Sequence, residues 1–217
     1  GGRPFGGPPG MERTNLVARF DADGDGRLDD DERAEARAYA RELAAERPRF
    51  PFGGGEAGGE PATVPRRLTT LDEDIEESAR VAVDAAAGLY DPGVVRTLFL
   101  RFVPDDWYDE LRDLYHTEVD VPAALVVDGR TYADVGVRFR GNSSYFATGE
   151  SLKKSWNLSL DWADDDQRLY GYRTLNLLNS HTDPSFAREA MFSEIGRDYT
   201  PAPRVNHVRL VVNGDDW

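Results

Sequence analysis

Cysteine is absent from the 217 residues. That excludes disulfides, zinc–thiolate sites and a thiol nucleophile together, and says little about redox compartment. Lysine is almost absent. Of the 26 basic residues, only the neighbours Lys153 and Lys154 are not Arg. A coding bias towards Arg accounts for most of this; the pair either escaped that bias or marks a place that needs a compact ammonium. Basic residues are also outnumbered by 40 acidic ones, for a formal net charge of −14. This argues against a nucleic-acid partner, because neutralising phosphates takes clustered Lys and Arg. No apolar run reaches the length of a membrane span, so no transmembrane segment is expected, and no secretory h-region is visible. The three histidines, His116, His181 and His207, are too scattered for a metal site, and no Ser–His–Asp pattern can be argued.

Hydrophobic residues make up 40% of the chain, enough for one ordinary domain and a small one. Residues 1–10, GGRPFGGPPG, are Gly/Pro low complexity and build no core. Residues 11–47 read as helix, acidic loop, helix. Leu16, Val17 and Phe20 share one face of the first helix; Ala36, Tyr39, Ala40 and Leu43 follow the helical period in the second, which Pro48 ends. Residues 48–66 form a Pro/Gly-rich, flexible linker, and 67–217 a larger domain. Its opening stretch, 68–90, reads as a loose lead-in helix. Strands are expected at VVRTLFLRF, VPAALVV, TYADVGVRFR, LKKSWNLSLDW, TLNLL and RVNHVRLVV, with helices over PDDWYDELRDLY and DPSFAREAMFSEIGRDY. Asp128-Gly129 is a strong hairpin signal, Asp183 stands where a cap is wanted, and Pro184 suits the first helical position. The sum is an α+β chain: a helix–loop–helix, a linker, then an antiparallel sheet with a late helix. Trp107, Tyr108, Trp156 and Tyr170 read as core aromatics. The chain opens on Gly1, and closes at Trp217 just after an Asn-Gly turn that should start a returning strand; it reads as a fragment.

The acidic loop DADGDGRLDDDE, residues 21–32, has the EF-hand pattern. Calcium is a hard cation that takes six to eight oxygens, and the twelve-residue loop supplies them from positions 1, 3, 5, 7, 9 and 12 around a sharp turn at Gly 6. Asp21, Asp23 and Asp25 fill the first three positions and Gly26 the turn. Arg27 offers its backbone carbonyl, Asp29 acts through water, and Glu32 chelates with both oxygens. Leu28 is the apolar anchor. No second loop of this kind occurs in the chain, so a modest affinity is expected, of the sort that works where calcium is plentiful.

From about residue 91 onward the chain resembles the CotH family of spore-coat-type atypical protein kinases. The resemblance rests on YDPGVVRTLFLRF, VGVRFRGNSSY, LKKSWNLSLDW, QRLYGYRTLNLLN, DPSFAREAMFSEI and PAPRVNHVRLVVNG, in the family's order. It implies a kinase-like N-terminal lobe that covers ATP and Mg²⁺ and passes the γ-phosphate to Ser of partner proteins. A Lys and a Glu would then hold and orient the phosphate-bound cation. Lys153 matches the family's Lys and lies on the polar side of its strand; Lys154 is the alternative, sharing a face with Trp156 and Leu158. Glu189 is the matching carboxylate on the late helix, with Glu194 behind it. Gly141, Asn142 and Ser143, in the loop after a strand, would lend backbone N–H groups to phosphate. Arg138 and Arg140 share one strand face and either contact phosphates or line a solvated surface. The resemblance places the catalytic Asp and the Mg²⁺-binding Asp beyond Trp217, so no catalytic residue is expected here and the fragment alone should be inactive.

The hand and linker in front look like the architecture of secreted or envelope-associated bacterial members, which implies a location outside the cytoplasm. The second reading is a non-catalytic envelope protein whose hand gives calcium-dependent stability or attachment. Neither reading names the protein partner.

Overall fold

The computed structural model describes residues 13–46 and 87–217. The linker at 48–66 and almost all of the lead-in stretch at 68–90 therefore lie outside the described residues.

The sheet grows from a hairpin. Strand β2 (Val121–Val127) alternates strictly between buried and half-buried residues, and β3 (Arg130–Arg140) pairs with it antiparallel. Asp128 and Gly129 take φ of 49° and 73°, the two left-handed positions that a tight two-residue turn requires. To one side lie β4 (Ser155–Ser159) and β5 (Thr174–Leu177); to the other lie β1 (Arg96–Arg101), β6 (Val208–Val212) and β7 (Asp215–Asp216). The strand order is β5-β4-β3-β2-β1-β6-β7. Asn213-Gly214 turns the chain back into β7, as the sequence suggested, with φ of 48° and 88°.

Strand alternation gives the sheet two chemically different faces. Leu98, Leu100, Val121, Leu125, Val135, Val137, Phe139, Trp156 and Leu158 form one face and are at most 4% exposed. Helix α3 (Trp107–Asp113) lies against it: Trp107 stacks on Phe102 at 4.8 Å, and Tyr108 meets Phe139 edge-on at 5.3 Å. The opposite face carries Gly136, Arg138 and Arg140 on β3, aligned with Ser159, Asn157 and Ser155 on β4.

Helices α1 (Val17–Phe20) and α2 (Asp30–Glu46) flank the acidic loop. They were expected on a tether, yet they pack on the sheet domain. Leu16, Leu28, Ala36 and Ala40 belong to the same buried cluster as the sheet's core. Polar contacts reinforce the join. Arg33 pairs with Glu110 at 2.6 Å, Arg37 with Asp106 and Asp113, and Val17 N–H donates to Glu118.

Four local expectations are corrected. The sheet is mixed, because β1 and β6 run parallel from Arg96↔Val208 to Leu100↔Val212. The first helix has only four residues, since Leu16 is buried as its cap. The late helix α5 (Arg188–Gly196) starts five residues after Asp183, because Phe186 adopts φ of 55° and breaks the helical path. Tyr170 is not a core aromatic: it is 39% exposed, donates to Asp128 and lies over the Arg96 guanidinium.

Candidate functional site

The acidic loop runs between α1 and α2. Gly26 takes φ of 83° at the sharp turn, and Leu28, 2% exposed, anchors the loop in the core. Asp21, Asp23 and Asp25 each bring a carboxylate oxygen within 4.8 Å of the others. Backbone N–H groups of Gly26 and Gly24 point at Asp21 and hold its carboxyl below the usual carboxylate range, against a smaller opposing effect of burial. Glu32 is turned back over the loop: one oxygen accepts from Ala22 N–H at 2.6 Å, the other from Asp29 N–H. Asp29 in turn accepts from Glu32 N–H, a reciprocal cap on α2. The donor set is all oxygen and suits a hard divalent cation. Asp29 and Glu32 stand outside the three-carboxylate group, engaged with loop backbone. Asp25 also binds Arg27, through both its N–H and its guanidinium.

A second site is an open cleft of about 250 Å³ on the polar side of the sheet. It is lined by Ser144 after the Gly141 turn, by Ser155 at the start of β4, and by Leu178 to Ser180 after β5. Asp183, Arg188 and Glu189 close it at the start of α5. Four sequence motifs that are far apart along the chain, RGNSS, KKS, LNLLN and DPS with its Arg, thus meet in one place. Asn179 knits them: its side chain donates to the Lys153 carbonyl at 2.8 Å and its N–H donates to the Ser155 hydroxyl. Asp183 fixes the turn into α5, accepting from the Ser185 hydroxyl and N–H and from Arg188 N–H. The Ser185 hydroxyl is the main reason its carboxyl titrates below the usual range.

The two lysines part company here. Both precede β4 and neither lies within a strand, contrary to the expectation of a Lys on a central strand. Lys154 is 8% exposed; its Nζ donates to Tyr145 O, Thr148 Oγ1 and Gly149 O, and lies 4.6 Å from the Tyr145 ring. Desolvation lowers its pKa. Its ammonium is fully used in holding the 145–149 segment. Lys153 is exposed beside the cleft. Glu189 lines the cleft, and among the described residues no ion pair joins it to Lys153. Glu194 is paired with Arg197 on the same helix.

Arg138 is half-buried and pairs with Asp120 at 3.0 Å. Burial pushes the Asp120 carboxyl up, and the Arg138 charge opposes that. Arg140 stands opposite Ser155 across the β3–β4 ladder, next to the cleft. Gly141 takes φ of 85°, with the Ser144 hydroxyl where a β-carbon would sit. Asn142 and Ser143 are exposed and lead into a short helix, α4 (Ser143–Ala147), where a loop was expected. Sequence reasoning missed Asn179, Ser155 and Asp120 as site-shaping residues. Asn179 and Ser155 lay inside quoted motifs; Asp120, at the mouth of β2, gave no signal.

His207 contacts the Phe186 carbonyl, His181 is exposed, and neither joins a cluster able to hold a metal. Among the described residues, no helix is long and apolar enough to cross a membrane.

Residues 137–217 match the family model described as CotH kinase protein. The match begins later than the resemblance suggested: YDPGVVRTLFLRF and β2 lie outside it, and the four cleft motifs lie inside. No curated protein and no solved structure matches the chain.

Proposed function

We propose that the chain is the nucleotide-covering part of a CotH-like protein kinase with a calcium-binding EF-hand built onto it. The observation that carries this is the cleft in which the four family motifs meet. Phosphoryl transfer asks a protein mainly for positioning and for cations on the phosphates. Lys153 is the free ammonium at the rim, Arg140 and Arg188 add positive charge nearby, and Glu189 is the carboxylate that would orient the lysine or a Mg²⁺ ion. Gly141, Asn142 and Ser143 begin the turn that would lie over the phosphates. Lys154 builds the site and does not touch nucleotide. Transfer of the γ-phosphate to Ser of a partner protein needs an acid–base and a Mg²⁺-binding carboxylate, which this reading assigns to a second lobe.

In the loop at 21–32, Asp21, Asp23, Asp25 and Glu32 with the Arg27 carbonyl would hold Ca²⁺, and Asp29 would act through water. Calcium supplies charge neutralisation there and no chemistry. A single hand of this kind suits an extracytoplasmic, calcium-rich setting in the secreted or envelope proteins of a bacterium.

The test is Mg-ATP binding by calorimetry, with wild type against Lys153→Ala, and phosphorylation of Ser-containing protein by a form carrying both lobes. Binding that Lys153→Ala weakens by about tenfold or more supports the assignment. Equal binding in the two proteins removes Lys153 from the site, and no binding in wild type removes the nucleotide reading.

A further inference from the structure

The helix–loop–helix meets the sheet domain at helix α3 and the turn that follows it, while Arg27 separately reaches the Trp162 and Ala163 carbonyls. From α2, Arg37 and Arg41 both reach Asp113, the last residue of α3. Ahead of α1, Thr14 N–H donates to the His116 carbonyl at 3.1 Å, and at the start of α1, Val17 N–H donates to Glu118 at 2.8 Å. These contacts bracket Tyr115. His116 is held at φ of 70°, a left-handed conformation that a side-chain-bearing residue keeps only where its surroundings impose it.

Tyr115 points the other way, at the segment that follows β3. Its hydroxyl donates to the Gly141 carbonyl at 2.6 Å. Its ring stacks on Tyr145 with centroids 3.5 Å apart and planes 13° from parallel. Burial drives the Tyr115 and Tyr145 phenols well above their ordinary range, so Tyr115 remains a donor at every physiological pH. Tyr145 is also the residue whose carbonyl and ring receive Lys154. A continuous set of contacts therefore runs from α2 to α3, through Tyr115, to Gly141 and Tyr145 and on to Lys154.

We propose that residues 13–46 act as a positioning arm for the 141–149 segment, whose Ser144 lines the cleft, with Tyr115 as the relay. Tyr115 touches no reacting atom and is a positioning residue. The arm holds the α3 end and the turn after it, and Tyr115 transmits that register to the Gly141 turn. The consequence for nucleotide rests on the reading given under Proposed function; the mechanical coupling does not.

Hydrogen–deuterium exchange of the whole chain separates these. Tyr115→Phe keeps the ring stack and removes only the bond to Gly141. In it, amides of 141–149 should exchange roughly five- to tenfold faster relative to those of β2. The double variant Arg37→Ala/Arg41→Ala, altered only in the arm, should speed the same segment as well as residues 13–46. Overturning results are an unchanged 141–149 segment, or an equal acceleration in β2 that reports global destabilisation alone. Mg-ATP affinity, measured alongside, should fall in both variants. Should wild type bind no nucleotide, the nucleotide reading falls while the exchange result still decides the relay.

Discussion

Arg33 on α2 and Glu110 on α3 meet at 2.6 Å, 77 residues apart in sequence, with side chains only 5% and 7% exposed. Such a pair joins two parts of a chain firmly, because neither charge can be left alone in a low-dielectric interior. Arg33 is satisfied further by the Leu28 carbonyl, inside the acidic loop, and by Asp30. The loop's exit and the sheet domain are thereby parts of one packed unit.

The first prediction follows from that pair. Glu110→Gln should destabilise the protein by about 3–5 kcal/mol, as expected when one member of a buried ion pair is removed. Replacing both residues, Arg33→Met with Glu110→Leu, should recover most of the loss. Urea unfolding midpoints check both values. The helix–loop–helix should unfold in the same transition as the sheet, since they share a core.

The calcium binding proposed for the loop depends on carboxylates that the loop already orients. Glu32→Gln should weaken calcium binding by about tenfold or more in a calorimetric titration, because it halves the oxygens available at the twelfth position. Arg27→Ala should act the other way on Asp25, which now binds Arg27 at 2.8 Å, and should leave affinity equal or improved. A Glu32→Gln variant that binds as tightly as wild type would refute the bidentate role.

The adjacent lysines should give opposite phenotypes. Lys154→Met removes three hydrogen bonds from a buried ammonium and leaves the Gly149 carbonyl without its lysine partner, a loss of about 1–3 kcal/mol. Lys153→Ala should be within about 0.5 kcal/mol of wild type in stability, as for an exposed residue outside any network. Thermal melts and nucleotide titrations of the two variants separate the structural lysine from the binding one.

These residues also mark how much the sequence disclosed. Strand-like runs located β2 and β3, and Asp128-Gly129 located the hairpin between them, because both signals are local. The parallel β1–β6 pairing was not legible, since it joins segments more than a hundred residues apart with no short-range turn to announce it. The sharp turn at Gly26 and the grouping of Asp21, Asp23 and Asp25 around it were legible, because these residues lie within a few positions of one another. The docking of the loop was not. Nothing local in the sequence singles out Arg33, Arg37 and Arg41, and only the fold brings Glu110, Asp106 and Asp113 opposite them. Strand alternation put Lys153 and Lys154 on different faces; Lys153 is exposed and Lys154 buried, although neither residue lies in the strand.

The turn into α5 should be acid-sensitive. Asp183 titrates below its ordinary value of 3.8 because it accepts from Ser185 and from Arg188 N–H. A lowered folded-state pKa gives stability that is present above the unfolded value and is lost as pH falls through the folded one. The α5 end of the cleft should therefore loosen only below about pH 4. Asp183→Asn should remove that acid dependence, and backbone NMR shifts of 184–190 across pH 2 to 6 would register it.

Gly136 tests the link between the acidic loop and the polar face of the sheet. A β-carbon there would sit 2.6 Å from Trp162 Cγ, 2.7 Å from its Cδ1 and 2.9 Å from an Asp120 oxygen. Those are rigid or committed neighbours, since Asp120 is paired with Arg138. The Trp162 ring would have to leave the sheet, and with it the Trp162 and Ala163 carbonyls that receive the Arg27 guanidinium at 3.1 Å and 3.2 Å. Gly136→Ala should cost about 1–3 kcal/mol, as overpacking does in a filled site. It should also change Trp162 fluorescence and speed exchange in the 21–32 loop. An alanine variant with wild-type stability and an undisturbed Trp162 would show that the ring is not seated on Gly136.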